Sequence, residues 1–234
     1  MNKVIFLFFV IASYSAFAEK LTADRVLKAL DSSDKNEISK IIKQGIEQSK
    51  YLNGTTLILL SGLAFAIEDF ESAGVFNYQC MVRVGIDVEV FPPKTKNRKN
   101  KVAKILAYIH YLTPVFNEYV FYNPDVLPEV IEPFSNWQPI CDDTYDPGWI
   151  YEVEPDFKLC NELFEDKISG IASFLKNRSK LLNNSEYFEL LTQIKGPNKN
   201  DDISLTNIEV IENRMFAIEK ELKIEGEITK KLDK

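Results

Sequence analysis

An all-α fold is predicted for this chain of 234 residues, as a single helical bundle with a helical hairpin at its centre and one irregular loop at about 138–155. Apolar residues recur at intervals of three and four through most of the sequence, which is the period of an amphipathic helix. Recognisable capping residues and prolines separate these periodic stretches. Strand-like alternation is limited to short pieces near residues 149–153. These three observations define the fold class.

The hairpin is predicted over residues 55–90, with a short turn at Glu68 and Asp69. Its two helices, over 55–67 and 70–90, each repeat apolar residues at helical spacing. The first stripe is Leu57, Leu60, Ala64 and Ile67, and the second is Ala73, Tyr78, Met81, Val84 and Val88. The small residues expected to let the two backbones approach are Gly62, Ala64, Ala66, Ala73 and Gly74.

Further helices are predicted on both sides of the hairpin. Before the hairpin, a first helix starts at Thr22 or Asp24, and a second contains the apolar stripe Ile38, Ile41, Ile42 and Ile46. After the hairpin, helices are predicted over 102–121, from about 126, over 156–182, over 185–194 and from Thr206 onward. Pro114 should kink or split the helix over 102–121 near Leu112, because proline lacks the N–H that an inner helical position donates.

The first 18 residues are expected to be a signal peptide rather than part of the fold. Lys3 precedes an apolar run at 4–11, and Ala16-Phe17-Ala18 has the small-x-small pattern of a cleavage site. The apolar run is too short for a membrane span of about 20 residues. The mature chain is therefore expected to start at Glu19, to be periplasmic or secreted, and to fold as one domain over 19–234; a retained N-terminal anchor is the alternative.

The charge balance argues against nucleic acid and anionic membrane as partners. The chain carries 28 basic and 35 acidic residues, for a formal net charge of −7. Nucleic-acid binding requires a basic footprint, which this chain lacks overall. A basic protein partner is compatible with the balance, although net charge by itself mainly keeps a protein soluble.

Three cysteines bear on the redox state and on metal binding. Cys141 and Cys160 flank the irregular loop, and a disulfide between them would stabilise the fold by roughly 3 kcal/mol; whether they pair stays open. Cys80 lies in an apolar helix and is expected to be a buried free thiol. Zinc is poorly supported because His110 is the only histidine, and no cofactor is predicted.

Catalysis has little support in the sequence. No G-x-S-x-G elbow accompanies His110, which we interpret as a packed or surface side chain. The carboxylates of the irregular loop could in principle act in pairs, as they do in glycosidases. Acids also collect routinely in surface loops, so their proximity in sequence does not show that they face one substrate.

The irregular loop is the best candidate for recognition. Its aromatic residues can anchor an interface, and its acids can attract a basic partner. The residues predicted to contact a partner are Trp137, Asp142, Asp143, Tyr145, Asp146, Trp149, Tyr151, Glu152 and Glu154. In the alternative interpretation the aromatic side chains cap the bundle and only the acids face water.

Two segments resemble small helical exported proteins of bacteria. They are Ala73-Gly74-Val75-Phe76-Asn77-Tyr78-Gln79 with Arg83 and Phe91-Pro92-Pro93, and the later Tyr145-Asp146-Pro147-Gly148-Trp149. Proteins of this kind include periplasmic immunity proteins against effectors of type VI secretion. The resemblance implies a non-enzymatic periplasmic protein that binds a toxin and occludes it, and it assigns a role to no residue. A structural protein of the cell envelope and a hydrolase using paired acids are the alternatives.

Overall fold

A computed structural model describes residues 20–94, 96–151, 153–195 and 205–224. The prediction of an all-α fold is confirmed. Within these ranges, β-structure is limited to an isolated antiparallel bridge between Pro93 and Tyr151, and no helix is long and apolar enough to cross a membrane. The expected signal peptide at 1–18 lies outside the described residues.

Nine α-helices lie in the described ranges: α1 (Ala23–Ser32), α2 (Lys35–Gln48), α3 (Gly54–Ala66), α4 (Phe70–Val90), α5 (Lys96–Phe116), α6 (Val126–Ser135), α7 (Phe157–Leu182), α8 (Ser185–Lys195) and α9 (Leu205–Glu221). Short polar side chains cap several of them by accepting hydrogen bonds from the first backbone N–H groups. These N-caps are Thr22, Asp34, Asn53, Asp69 and Asp156.

The helical hairpin predicted from the sequence is formed by α3 and α4. The α4 helix contacts α3, α5, α6 and α7, which makes it the central element of the bundle. Leu57, Leu60 and Val84 are fully buried, as the stripes predicted. Met81 is an exception, since 38% of its surface is exposed. Helix α4 therefore buries most of its circumference but leaves a narrow outer edge.

Only some of the small residues predicted for the hairpin are buried, namely Ala64, Ala73 and Gly74. Gly62 has no atom within 4 Å of the position that a Cβ would take, and Ala66 is exposed. A Cβ at Gly54 would instead overlap the side chain of Val84. One at Gly74 would lie 2.8 Å from Val130 Cγ2. Helical spacing shows where small residues occur, whereas contacts between distant segments decide which of them are needed.

The helix that contains Pro114 continues through that residue, so it is not split near Leu112; a kink there, the other expected outcome, stays a prediction. Helix α5 extends to Phe116 and then widens into a π-helical turn, Asn117–Phe121. Proline cannot donate to the carbonyl four residues before it, and the regular α-helical hydrogen-bond pattern gives way to the π-helical turn shortly after this residue. Val120 and Phe121 of this turn remain buried.

A buried arginine joins the last three helices. Arg178 of α7 is fully buried, and its Nη1 donates to the hydroxyl oxygen of Tyr187 at 3.3 Å. The Tyr187 hydroxyl donates in turn to Oε1 of Glu219 at 3.3 Å. This chain of polar contacts connects α7, α8 and α9 inside the apolar core.

Candidate functional site

The irregular loop over residues 138–155 covers one end of the central helix α4. Cys141 near its start and Cys160 in the first turn of α7 are joined by a disulfide, with their Cα atoms 6.3 Å apart. Lys94 N donates to Ile150 O at 3.0 Å, so the second half of the loop is tied to the segment that follows α4. The start of the loop is thus connected to α7, and its second half to the segment that follows α4.

Arg83 of α4 holds the first half of the loop. Its side chain is fully buried, and its Nη1 donates to the backbone oxygen of Ile140 at 3.0 Å. Its Nη2 donates to the backbone oxygen of Lys50 at 2.9 Å, and that oxygen also accepts from Ile140 N at 2.9 Å. One guanidinium therefore joins the loop to the segment between α2 and α3.

Aromatic rings surround the same guanidinium. Its central carbon lies 4.2 Å from the ring centre of Tyr145, 4.7 Å from that of Phe164 and 5.5 Å from that of Trp137. A cation over an aromatic face is attracted by the negative face of the ring, and more strongly in a site without water. These contacts offset part of the desolvation of Arg83.

Asp87, one turn after Arg83, binds the middle of the loop. The Tyr145 hydroxyl donates to Asp87 Oδ2 at 2.5 Å. Burial raises the pKa of Asp87 to about 7, although the positive charge of Arg83 and the Tyr145 hydrogen bond act in the opposite direction. Burial also raises the pKa of Tyr145 well above its ordinary value. Because the Asp87 side chain is fully buried, a substrate cannot reach this carboxyl in the structure.

Trp149 fixes the second half of the loop. Its indole Nε1 donates to the backbone oxygen of Phe91 at 2.6 Å. The Phe91 ring in turn packs against Tyr145 and Tyr151, with ring centres 5.6 and 5.3 Å away. The chain turns just before Trp149, where Gly148 takes a φ of 86° that glycine adopts readily.

The structure corrects the prediction that Trp137, Tyr145 and Trp149 contact a partner. Only 6, 8 and 7% of their respective surfaces are exposed. Their large apolar areas are removed from water against the core, and Tyr145 and Trp149 also find internal hydrogen-bond partners. The aromatic residues therefore cap the bundle, as in the alternative interpretation.

The other predicted residues that the structure describes lie on the outside of the loop. Asp142, Asp143, Asp146 and Glu154 are exposed, and 37% of the Tyr151 surface is exposed. Glu152 lies outside the described residues. A shallow hollow of about 450 Å³ is lined by Asp143, Tyr151, Val153, Glu154, Pro155 and Phe157. We call the surface formed by Asp143, Tyr151, Val153 and Glu154 the acidic face.

The first loop carboxylate is held in its ionised form. Asp142 Oδ1 accepts from Thr144 N at 2.9 Å and from Thr144 Oγ1 at 2.6 Å. These hydrogen bonds lower the pKa of Asp142. A general acid requires the opposite shift, because it must keep its proton near neutral pH. Asp142 therefore suits the attraction of a positive charge better than proton donation.

Metal binding, His110 and Cys80 were the other features that the sequence raised. Within the described ranges, no group of three or more His, Cys, Asp and Glu side chains could hold a metal ion. His110 is exposed on α5, which is one of the two placements expected for it. Cys80 is buried, and its Sγ lies 3.3 Å from the backbone oxygen of Gly54.

Sequence reasoning missed the two residues that position the loop. Arg83 and Asp87 are charged residues four positions apart in a helix that buries most of its circumference. Such a helix rarely places charges inward unless they have partners. An opposite-charge pair at this spacing in an apolar segment was the available signal, and it would have identified α4 as the support of a polar network.

No protein-family model, curated protein or solved structure matches this chain. Its function is therefore inferred from the chemistry of the acidic face and from the contacts that hold it.

Proposed function

We propose that this protein is an exported, non-enzymatic inhibitor of the immunity type, which binds a secreted antibacterial effector and blocks it sterically. The observation that carries the proposal is the acidic face: exposed carboxylates and apolar groups displayed on a loop whose inner side is fixed to the core. The basic effector surface would contact Asp143 and Glu154, with Asp142 and Asp146 nearby.

Rigidity of the loop favours tight binding. Flexible loops lose conformational entropy when they bind, and that loss reduces affinity. Here the disulfide, the Arg83 hydrogen bonds, the Tyr145–Asp87 hydrogen bond and the Trp149–Phe91 hydrogen bond hold the loop before any partner arrives. A smaller entropy loss therefore remains for the binding step.

The chemistry of the acidic face suits a lysine or arginine side chain. Carboxylates of Asp143 and Glu154 can accept charge-assisted hydrogen bonds from its head group. The apolar surfaces of Tyr151 and Val153, the latter 56% exposed, can cover its aliphatic stem. The formal net charge of −7 would also increase the rate of encounter with a basic effector.

Toxin neutralisation tests the proposal. Each secreted toxin encoded beside the gene for this chain would be produced in the periplasm of a sensitive bacterium, with and without the protein. We expect the protein to restore growth and to bind its toxin directly. The variant Asp143→Lys with Glu154→Lys should bind at least about tenfold more weakly, because like charges then meet across the interface.

A matched control separates the acidic face from net charge. Asp31→Lys with Glu129→Lys makes the same change in charge at exposed residues of α1 and α6 and should protect like the wild type. Failure to neutralise any neighbouring toxin would overturn the proposed function. Co-purification with resident envelope proteins instead would favour the structural alternative. If the charge-reversal variant Asp143→Lys with Glu154→Lys still protects like the wild type, the acidic face is not the contact.

A further inference from the structure

Helix α5 contains no acidic residue, although the chain as a whole is acidic. None of the 21 residues of Lys96–Phe116 is Asp or Glu, and all 35 acids of the chain lie elsewhere. The basic residues of the helix are Lys96, Arg98, Lys99, Lys101 and Lys104. The overall formal charge of −7 therefore conceals one helix of the opposite sign.

The same helix has large exposed side chains that are aromatic or aliphatic. Tyr108 and Tyr111 have 60 and 75% of their surfaces exposed, and Leu106 and Val115 have 48 and 37%. The inner side of the helix already packs into the core through Val102, Ile105, Ile109 and Phe116. A surface helix normally has one apolar face, so the exposed side chains require a separate explanation.

The exposed charge and the exposed rings share one side of α5. Lys104, Tyr108, Tyr111 and Val115 are separated by four, three and four positions, and this spacing brings side chains together on an α-helix. The outer side of α5 therefore combines a positive charge with amphipathic aromatic rings and an aliphatic group.

This combination is typical of a helix that lies on the surface of a lipid bilayer. Basic residues are attracted to the negative headgroups of anionic lipids. Tyrosine is enriched where the headgroups meet the hydrocarbon, because its ring is apolar and its hydroxyl group is polar. Aliphatic side chains of surface-bound helices enter the same boundary. Because the inner side of α5 is packed into the core, only its outer side is free to contact a bilayer.

The net negative charge of the chain is a weak argument against such a contact. At physiological ionic strength the Debye length is about 8 Å, so exposed charges that lie farther than this from the bilayer are largely screened. The net charge would decide the matter only if the charges were spread evenly over the chain, and in α5 they are not. Charges on the bound side of the protein therefore outweigh those on its other sides.

We propose that the outer side of α5 binds the surface of a bilayer containing anionic phospholipids, with Lys104 at the headgroups and Tyr108 and Tyr111 at the boundary with the acyl chains. A nucleic acid also attracts basic residues, but proteins that bind single strands usually place these residues in a groove. A helix offers a convex surface instead, and its exposed Leu106 and Val115 suit lipid better than phosphate. This inference is independent of the proposed inhibition of a toxin.

Co-sedimentation with lipid vesicles tests the proposal. The disulfide-bonded chain is used from Glu19 onward, so that the apolar run at 4–11 cannot itself insert into lipid. Vesicles with about 40 mol% phosphatidylglycerol in phosphatidylcholine should bind the protein at least about tenfold more tightly than vesicles of phosphatidylcholine alone. Raising the salt concentration from about 0.1 to about 1 M shortens the Debye length from about 10 to about 3 Å and should release most of the bound protein.

Matched variants locate the contact on α5. Lys104→Glu should weaken binding to the anionic vesicles at least about fivefold, whereas Lys176→Glu makes the same change in charge at an exposed position of α7 and should bind like the wild type. Tyr111→Ser should weaken binding severalfold, and Tyr51→Ser, at a tyrosine that is 45% exposed outside α5, should not. All four positions lie at the surface, so circular dichroism should show the same helical content in each variant.

Several results would overturn the proposal. One is equal binding to anionic and neutral vesicles, or binding to neither. Another is an equal loss from Lys104→Glu and Lys176→Glu, because the attraction would then depend on net charge and not on α5. A third is unchanged binding by Tyr111→Ser, which would remove the tyrosines from the contact; competition by single-stranded DNA would in that case identify a nucleic acid as the partner.

Discussion

The phenol of Tyr145 donates a 2.5 Å hydrogen bond to the carboxyl of Asp87, which is 58 residues earlier in the chain. Tyr145 belongs to the irregular loop, whereas Asp87 belongs to the central helix of the bundle. The bond lies beside the buried Arg83, whose central guanidinium carbon is 4.2 Å from the Tyr145 ring centre. The conformation of the loop, and with it the position of the acidic face, thus depends on a polar network inside the core.

This network predicts a pH-dependent stability. An unfolded Asp87 titrates near its ordinary pKa of 3.8, and the folded one near about 7. The folded state therefore holds the carboxyl proton of Asp87 more tightly than the unfolded state does. The contribution of this proton to stability is complete below pH 3.8 and is lost as the pH rises through about 7. Asp87→Asn mimics the protonated carboxyl, and it should flatten the decline in Tm between pH 4 and 8.

Thermal melting followed by circular dichroism measures this effect. Each kcal/mol corresponds to about 2–4 °C for a chain of this size. Asp87→Asn should therefore melt several degrees above the wild type at pH 8 and close to it near pH 4. Asp31→Asn, at an exposed position of α1, should follow the wild-type profile. Parallel profiles for the wild type and Asp87→Asn would contradict the assignment.

Trp149 is expected to act through stability rather than through direct contact with a partner. Trp149→Phe removes the donor to the Phe91 oxygen and should lower the free energy of unfolding by about 1–3 kcal/mol. Trp149→Ala removes the ring as well and should lower it by about 3–5 kcal/mol. Urea denaturation measures both. Tyr151→Phe changes only a partly exposed hydroxyl group and should stay within about 0.5 kcal/mol of the wild type; a similar result for Trp149→Phe would refute the internal role.

The disulfide should contribute measurably to stability. Cys141→Ser with Cys160→Ser should lower the free energy of unfolding by about 3 kcal/mol, because the unfolded chain gains conformational freedom. A reductant should produce the same loss in the wild type and none in the double variant. Thiol titration under non-reducing, denaturing conditions should detect Cys80 alone. Detection of all three thiols would show that the bridge does not form in the isolated protein.

Two glycines of α3 should respond in opposite directions to the same change. Gly54→Ala forces a methyl group into Val84 and should destabilise the fold by about 1–3 kcal/mol. Gly62→Ala meets no atom within 4 Å and should stabilise the helix by up to about 1 kcal/mol, because alanine is the better helix former. Urea denaturation compares the two directly. Equal effects would show that the Gly54–Val84 contact is not a constraint.

Local patterns were sufficient to predict most helices. The second hairpin helix was predicted over 70–90 and is observed as Phe70–Val90. The helix predicted over 156–182 is observed as Phe157–Leu182, with Asp156 as its cap. Apolar periodicity and capping involve neighbours within one or two turns, so they can be recognised without knowledge of the tertiary structure.

The direction in which the loop residues face could not be predicted in this way. Trp149 and Asp146 are three residues apart, yet one lies buried against Phe91 and the other is exposed. An irregular segment has no period that separates an inner from an outer side. Only its contacts with Arg83, Asp87 and Phe91, which lie more than 50 residues away in sequence, decide which side chains are buried.

The sequence by itself thus determined that this protein is a bundle of helices around a central hairpin, because helix formation is governed by short-range spacing. Tertiary structure alone decided that the aromatic residues of the loop belong to the core, that Gly54 is the close contact of the hairpin, and that the loop acids and the α5 tyrosines face outward. The physical reason is that burial depends on which distant segments meet, and the free energy of burying a large aromatic ring exceeds any local preference of the loop.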